Sequence, residues 1–273
     1  MSMIGRALGK WENVQALSNK VFASNPRNVL FLTNLGLSYL YLNDISRSIV
    51  CLDRAIELMP QWYVPYVYKI NSHLSSGNID EAKKVVREAE KTTDKDYYRI
   101  MAELNLYEEK YSSAVKNIER ANAKEFYDLE ETGGDAFLLK AKIYKYAGDL
   151  KQSNEYFMKA LDYFGYRIKF DPEDYYAFSK LGITYAGIGL NQIAIEHGRK
   201  ALDFIEQPKD AITDPFILYD MIQTYAITGN HESGLNMIQE LLDRKSLYSL
   251  ESLKLDPDIK QLFNDTGIAF INQ

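Results

Sequence analysis

The chain has 273 residues, of which 46% are apolar, and a formal net charge of −6. This acidic balance argues against a general nucleic-acid or anionic-membrane surface, because both need a basic footprint. No apolar run approaches the ~20 residues that a membrane-spanning helix needs, and residues 1–10 lack the apolar core of a signal peptide. We therefore expect a cytoplasmic chain that binds neither nucleic acid nor membrane.

Residues 1–28 are predicted to form a partial N-terminal repeat or cap. Gly9, Trp11, Val21 and Pro26 match the second helix of a helical hairpin whose first helix would precede residue 1. This favours a fragment of a longer protein. The alternative is an irregular half-repeat that caps the array. An open face at this end would also let two chains associate as a homodimer.

A recurring spacing of large, small and aromatic residues then predicts about six helical hairpins over residues 29–245. The first full copy comprises Leu32, Leu35, Gly36, Tyr39, Ser48, Leu52, Ala55 and Pro60. Unit starts fall near Val29, Tyr63, Lys95, Gly134, Tyr175 and Pro215. Small residues such as Gly36 let the two helices of a hairpin approach closely. Glycines between the helices suit a left-handed turn, namely Gly77, Gly148, Gly189 and Gly229.

The units that begin near Lys95, Gly134 and Tyr175 are longer than the first ones. Their extra residues fit either longer second helices or ordered loops on one rim. We favour a longer helix around Tyr163–Phe170, because the apolar period continues up to the Asp171-Pro172 stop. Residues 124–133 are acidic and end in a Gly-Gly pair, Gly133-Gly134, which we interpret as a mobile loop.

Residues 246–273 depart from the repeat and are predicted to form a C-terminal capping segment, so that the whole chain is one continuous solenoid domain. Asp256-Pro257 is a helix-start signal. The apolar residues on either side of it would cover the exposed face of the last hairpin, as an open-ended stack requires.

Residues 9–245 resemble tetratricopeptide-repeat proteins, because the motif recurs in at least five phased copies. The resemblance implies an all-α, right-handed superhelical solenoid of stacked antiparallel helix pairs, which is normally a binding scaffold and not an enzyme. The tail, with Leu253, Leu255, Asp256-Pro257, Leu262 and Phe263, resembles the ending of such repeats in large bacterial multidomain signalling proteins. That implies a regulatory or interaction segment of such a protein.

The sequence offers no catalytic constellation. The histidines His73, His197 and His231 have no cysteine or carboxylate at metal-ligand spacing, and the single cysteine, Cys51, lies among apolar residues. Phosphate-loop, nucleophile-elbow and His-Glu-x-x-His motifs are absent from the sequence. We therefore predict no catalytic residue, no metal and no cofactor.

The family resemblance implies a concave groove lined by the first helix of each hairpin. Carried over to this chain, its larger or polar lining residues are Tyr41, Asn71, Arg99, Glu103, Tyr107, Lys142, Lys145, Tyr146, Tyr176, Ser179, Tyr219 and Gln223. Arg99, Lys142 and Lys145 could clamp a carboxylate or phosphate. Acids at neighbouring groove positions leave the groove roughly charge-balanced.

We expect this groove to bind a protein or peptide, as an amphipathic helix or an extended segment. That segment could come from a partner or from the chain's own missing N-terminal part. The alternative is a ligand-sensing receptor for a short peptide or small molecule. In that case Arg99, Glu103, Lys142 and Tyr146 would line a deep, closed pocket.

Overall fold

The computed structural model describes residues 5, 8–89, 97–122, 133–205 and 210–263, and this part of the chain is helical without a strand. The acidic segment 124–132 lies outside the described residues. In chain order the helices are α1 (Trp11–Ser24), α2 (Val29–Tyr41), α3 (Ile45–Leu58), α4 (Val64–Ser75), α5 (Ile79–Ala89), α6 (Tyr97–Tyr107), α7 (Tyr111–Asn122), α8 (Gly133–Tyr146), α9 (Leu150–Phe170), α10 (Tyr175–Gly187), α11 (Asn191–Asp203), α12 (Asp214–Ile227), α13 (His231–Asp243), α14 (Leu250–Leu253) and α15 (Pro257–Leu262).

Consecutive helices pack as pairs, so the all-α fold of stacked helix pairs is confirmed. The contacts divide the chain into two compact units. Unit 1 comprises the described residues of 1–97, 208–215 and 242–254, and unit 2 comprises those of 98–207, 216–241 and 255–273.

The same three-residue turn joins the helices of each pair from α2–α3 to α12–α13. Its middle residue has a positive φ: Asn43, Gly77, Glu109, Gly148, Gly189 or Gly229. The next N–H bonds back to a carbonyl of the last helical turn, as in Asp149 N–H to Tyr144 O at 2.9 Å. This is the Schellman closure of a helix end. The four predicted glycines are confirmed, and Asn43 and Glu109 show that the turn also accepts other residues.

α9 is 21 residues long and ends at Phe170, so the predicted extension of a second helix over Tyr163–Phe170 is confirmed. The interpretation of Gly133-Gly134 as a loop pair is wrong, since both residues lie in the first turn of α8. Gly134 is small for a packing reason. A Cβ there would lie 2.4 Å from Cζ of Phe164 and 2.5 Å from Cδ1 of Tyr163 on α9.

In unit 1, the stretch around α14 is anchored to the end of α4. The Ser75 hydroxyl donates to the carbonyl of Leu247 at 2.6 Å, and the Ser249 hydroxyl donates to the carbonyl of Ser75. Ser249 and Ser252 also form a capping box at the start of α14. These hydrogen bonds to backbone carbonyls hold residues 247–252 against α4 in unit 1.

Gly134→Ala should destabilise the chain by about 1–3 kcal/mol, because the added methyl overpacks against the fully buried Phe164 ring. Gly165→Ala is the matched control. A Cβ at Gly165 meets nothing within 4 Å, and alanine is the better helix former in the middle of α9. Urea unfolding followed by circular dichroism measures both changes. Equal stabilities of the two variants would contradict this account of the α8–α9 contact.

Candidate functional site

The short helix α15 of unit 2 begins at the predicted Asp256-Pro257 signal. The Asp256 side chain accepts the N–H groups of Asp258 at 2.9 Å and Ile259 at 3.4 Å, and Pro257 occupies the first helical position. An N-cap carboxylate and a first-turn proline are both favoured at a helix start. The sequence thereby places two carboxylates two residues apart at the beginning of α15.

Three side chains of α8 meet these carboxylates. Lys142, Lys145 and Tyr146 share one helical face because they are three and four residues apart. The Lys142 Nζ lies 2.7 Å from each Asp256 carboxylate oxygen and 2.9 Å from Oδ2 of Asp258. The Lys145 Nζ lies 3.1 Å from Asp258 Oδ1, and the Tyr146 hydroxyl donates to the same oxygen at 2.7 Å.

α12 supplies two further donors from a second direction. Tyr219 and Gln223 are four residues apart and so also share a face. The Tyr219 hydroxyl donates to Asp256 Oδ2 at 2.6 Å, and the Gln223 amide donates to the same oxygen at 2.7 Å. Asp256 is therefore held by side chains of both α8 and α12.

The two carboxylates are removed from water, and ion pairs with the lysines offset this burial. Asp256 and Asp258 are each 2% exposed. Burial alone would raise the pKa of Asp258, but Lys142 and Lys145 outweigh burial and lower that pKa to about 2. Burial works against the charged form of Lys142, yet Asp256 and Asp258 raise its pKa above the ordinary lysine value. Two negative charges thus meet two positive ones.

The remaining side chains of the segment fix its apolar side. Ile259 and Leu262 are fully buried, and Phe263 is nearly so. A Cβ at Gly234 on α13 would lie 2.9 Å from Leu262 Cδ1, so this glycine leaves the space that the leucine fills. At the exposed rim, the Lys260 ammonium pairs with Glu109, the left-handed residue between α6 and α7.

Two other predicted groove residues belong to a separate network in unit 2. The Ser179 hydroxyl donates to Asp220 at 2.7 Å, and Lys180 lies 2.9 Å from the same carboxylate. The Tyr176 hydroxyl donates to Asp135 on α8. Burial raises the pKa of Asp220, and Lys180 opposes that rise without cancelling it. These groups link α8, α10 and α12 to each other.

The other predicted residues lie elsewhere. Glu103 accepts the Tyr107 hydroxyl at 2.8 Å along α6, and Arg99 is partly buried on the same helix. In unit 1, Tyr41 is 4% exposed and stacks on Trp11 with a centroid separation of 5.2 Å, and Asn71 is partly buried on α4. The structure therefore brings five of the predicted residues together around α15.

The tetratricopeptide-repeat family model matches residues 31–61 and 134–164. These segments coincide with α2–α3 and the α8–α9 pair. These two segments are tetratricopeptide repeats. Folds of this family are generally scaffolds that bind protein or peptide partners, and generally have no catalytic role.

Solved tetratricopeptide-like structures share the fold at low identity. A chain of the APC/C heterotetramer Cut9–Hcn1 is 15% identical with a TM-score of 0.55, covering 96% of this chain and 47% of that chain, so this chain spans about half of its length. A tetratricopeptide-repeat protein from Parabacteroides merdae is 14% identical with a TM-score of 0.54, covering 92% and 93%. The human IFIT1 dimer with PPP-AAAA is 18% identical with a TM-score of 0.53, covering 94% and 65%. No curated protein matches the sequence.

The tetratricopeptide pattern indicates the lysines and tyrosines of this site but not their acidic partners. From sequence, Asp256 is interpreted as a helix start and as part of the tail resemblance, and Asp258, Lys180 and Asp220 are not singled out. The available signal was the Asp-Pro-Asp spacing, which places a second acid in the first turn of the helix. Acids are favoured there by the helix dipole, so the spacing does not by itself indicate a lysine partner.

The described residues contain no group of three or more His, Cys, Asp or Glu that could hold a metal ion. In the same part of the chain, no helix is long and apolar enough to cross a membrane. Burial and the charge of Asp44 raise the pKa of the Cys51 thiol to about 11, so this cysteine stays protonated at neutral pH.

Asp258→Asn should lower the free energy of unfolding at pH 7 by about 2 kcal/mol. Lys145 loses its buried counter-charge, and Lys142 loses one of its two. The depressed pKa of Asp258 contributes stability above the ordinary aspartate pKa of ~3.9, and that contribution is lost as pH falls toward about 2. The difference from wild type should shrink by roughly half near pH 3. Glu251→Gln, at an exposed acid of the same segment, is the control for urea titrations at both pH values. A pH-independent difference would contradict the ion-pair assignment.

Tyr146→Phe should cost about 1.5–3 kcal/mol, because a hydroxyl that donates to a charged, buried carboxylate is removed without a change in ring packing. Tyr166→Phe on α9, where the ring is 70% exposed, should change stability by less than about 0.5 kcal/mol. Thermal unfolding of the two variants compares them directly. Equal effects would show that the Tyr146 hydroxyl does not hold Asp258.

Proposed function

We propose that the chain is a non-catalytic scaffold that binds an acidic segment of a protein partner in a groove of unit 2. This acceptor groove is formed by Lys142, Lys145 and Tyr146 of α8 and by Tyr219 and Gln223 of α12. The supporting observation is that all five converge on two carboxylates of a short helical segment. They are also among the positions that the family resemblance assigns to the concave groove.

The chemistry of the acceptor groove favours an anion over other ligands. Its lysines supply positive charge, and its two phenol hydroxyls and one amide donate hydrogen bonds in the directions that carboxylate oxygens accept. Burial and Asp258 raise the pKa of Tyr146, so its hydroxyl remains a donor at neutral pH. Tyrosines in desolvated positions are also common anchors of protein interfaces.

The contacts favour a peptide over a small-molecule ligand. The sensing alternative requires Arg99, Glu103, Lys142 and Tyr146 to converge on one closed pocket. Lys142 and Tyr146 instead meet the carboxylates of α15, while Glu103 accepts a hydrogen bond from Tyr107 on its own helix. A peptide segment in the acceptor groove accounts for the contacts of Lys142 and Tyr146 and requires neither Arg99 nor Glu103.

The proposal extends to biological context. On the basis of the tail resemblance, we propose that the chain is a regulatory or interaction segment of a larger bacterial signalling protein and acts in the cytoplasm. The net charge of −6 supports a protein partner and not nucleic acid. Self-association through the N-terminal face belongs to the same proposal. Sedimentation equilibrium should then give a dimer mass, and a monomer mass at all concentrations would contradict it.

A peptide with the sequence of residues 253–263, LKLDPDIKQLF, tests the acceptor groove in trans. The full chain carrying Asp256→Asn and Asp258→Asn should bind the fluorescent peptide, because its own segment no longer neutralises the lysines. Adding Lys142→Ala should weaken binding at least ~10-fold, which corresponds to the loss of about 1.4 kcal/mol. Fluorescence anisotropy measures both affinities.

Two controls accompany this measurement. Lys151→Ala removes an exposed lysine of α9 and should leave the affinity unchanged. A peptide in which both aspartates are replaced by asparagine should bind at least ~10-fold more weakly, because it lacks the charge that the lysines need. Absence of peptide binding would refute the proposed function, and so would an affinity that Lys142→Ala leaves unchanged.

A further inference from the structure

We propose that residues 256–263 are an internal ligand of the acceptor groove, and that the partner is an acidic peptide segment that displaces them. This inference rests on the proposed function and specifies its partner. The partner segment would begin a helix with two acids two residues apart, as Asp256 and Asp258 do. It would carry apolar residues three and six positions after the first acid, where Ile259 and Leu262 are fully buried.

The first step is that α15 owes its structure to the groove. It has six residues, and helices shorter than ~12 residues are marginal in water without tertiary contacts. Its N-cap, Asp256, is itself held by Lys142, Tyr219 and Gln223. A segment whose helix forms mainly through contacts with a preformed site behaves as a bound peptide.

The second step is that the segment has an anchor of its own. Residues 247–252 are fixed in unit 1 by the bonds of Ser75 to Leu247 and Ser249, and Leu253 is fully buried. These contacts do not depend on the carboxylates of α15. Residues 255–263 can therefore leave the acceptor groove while the chain before them keeps its place in unit 1.

The third step fixes the chemistry of the competitor. Lys142 is surrounded by protein, and its side chain is 15% exposed. An ammonium at that depth is strongly destabilised when its counter-charge is removed. Any competitor that covers Lys142 in place of α15 must therefore bring carboxylates of its own. Neutral and basic peptides would leave the lysines without partners, so they are excluded as efficient competitors.

Tethering sets the size of the effect. A segment on a short tether has an effective concentration on the order of 1 mM. If its intrinsic Kd is ~10 µM, the acceptor groove is open about 1% of the time, and an external ligand binds ~100-fold more weakly than to an open groove. The inference thus predicts a specific ratio between two affinities of the same peptide.

The test compares wild type with the Asp256→Asn, Asp258→Asn chain, using the fluorescent peptide of residues 253–263. The doubly substituted chain should bind at least ~10-fold more tightly than wild type. Glu251→Gln, which removes a carboxylate outside the acceptor groove, should match wild type. Equal, measurable binding to wild type and the double variant would overturn the internal-ligand inference and leave the proposed function intact. Failure of both to bind would overturn the two together.

A second measurement uses the unaltered chain, so it does not depend on the folding of a variant. Hydrogen exchange is followed with and without saturating peptide, which carries heavy isotopes so that its fragments separate by mass. The amides of residues 259–263 should exchange faster when peptide is bound, while those of α13 stay unchanged. Unchanged protection of residues 259–263 at saturation would overturn the inference. A dimer mass for wild type without peptide, together with a monomer mass for the double variant, would also overturn the inference. The segment in the groove would then come from a second copy of the chain.

Discussion

Two carboxylates buried to 2% exposure at the start of α15 constrain the rest of unit 2. A charge at that depth is stable only with opposite charge and hydrogen-bond donors around it. Lys142 must therefore share a face with Tyr146 on α8, and α12 must approach closely enough for Tyr219 to reach the same aspartate as Lys142. The donor set and the start of α15 together satisfy this one electrostatic requirement.

Small residues at helix contacts make this approach sterically feasible. Gly134 admits the Phe164 ring against α8, and a Cβ at Gly182 would lie 3.3 Å from the carbonyl oxygen of Ala194. Gly234 leaves the space for Leu262. The first two bring helices together, and the third admits the tail. Gly234 therefore sets how closely the tail can approach α13.

The sequence predicted features whose cause is local. The hairpin starts at Val29 and Tyr175 follow from apolar period, and the end of α9 follows from Asp171-Pro172. The lining residues of α8 and α12 follow from repeat phase. The tail segment that contacts these residues cannot be predicted in this way, because Lys142 and Asp256 are 114 positions apart and no periodicity relates them. Glu109 also escaped prediction, since a left-handed turn favours glycine without requiring it.

The length of α9 affects where the next hairpin begins. Gly134 and Tyr175 are 41 residues apart, about seven more than the ~34 of a standard unit. Seven residues are nearly two helical turns, which advance the chain by ~10 Å and rotate it by only ~20°. The chain therefore leaves α9 from almost the same side as it would leave a shorter helix. Insertion of a heptad lengthens one arm of a repeat without redirecting the next.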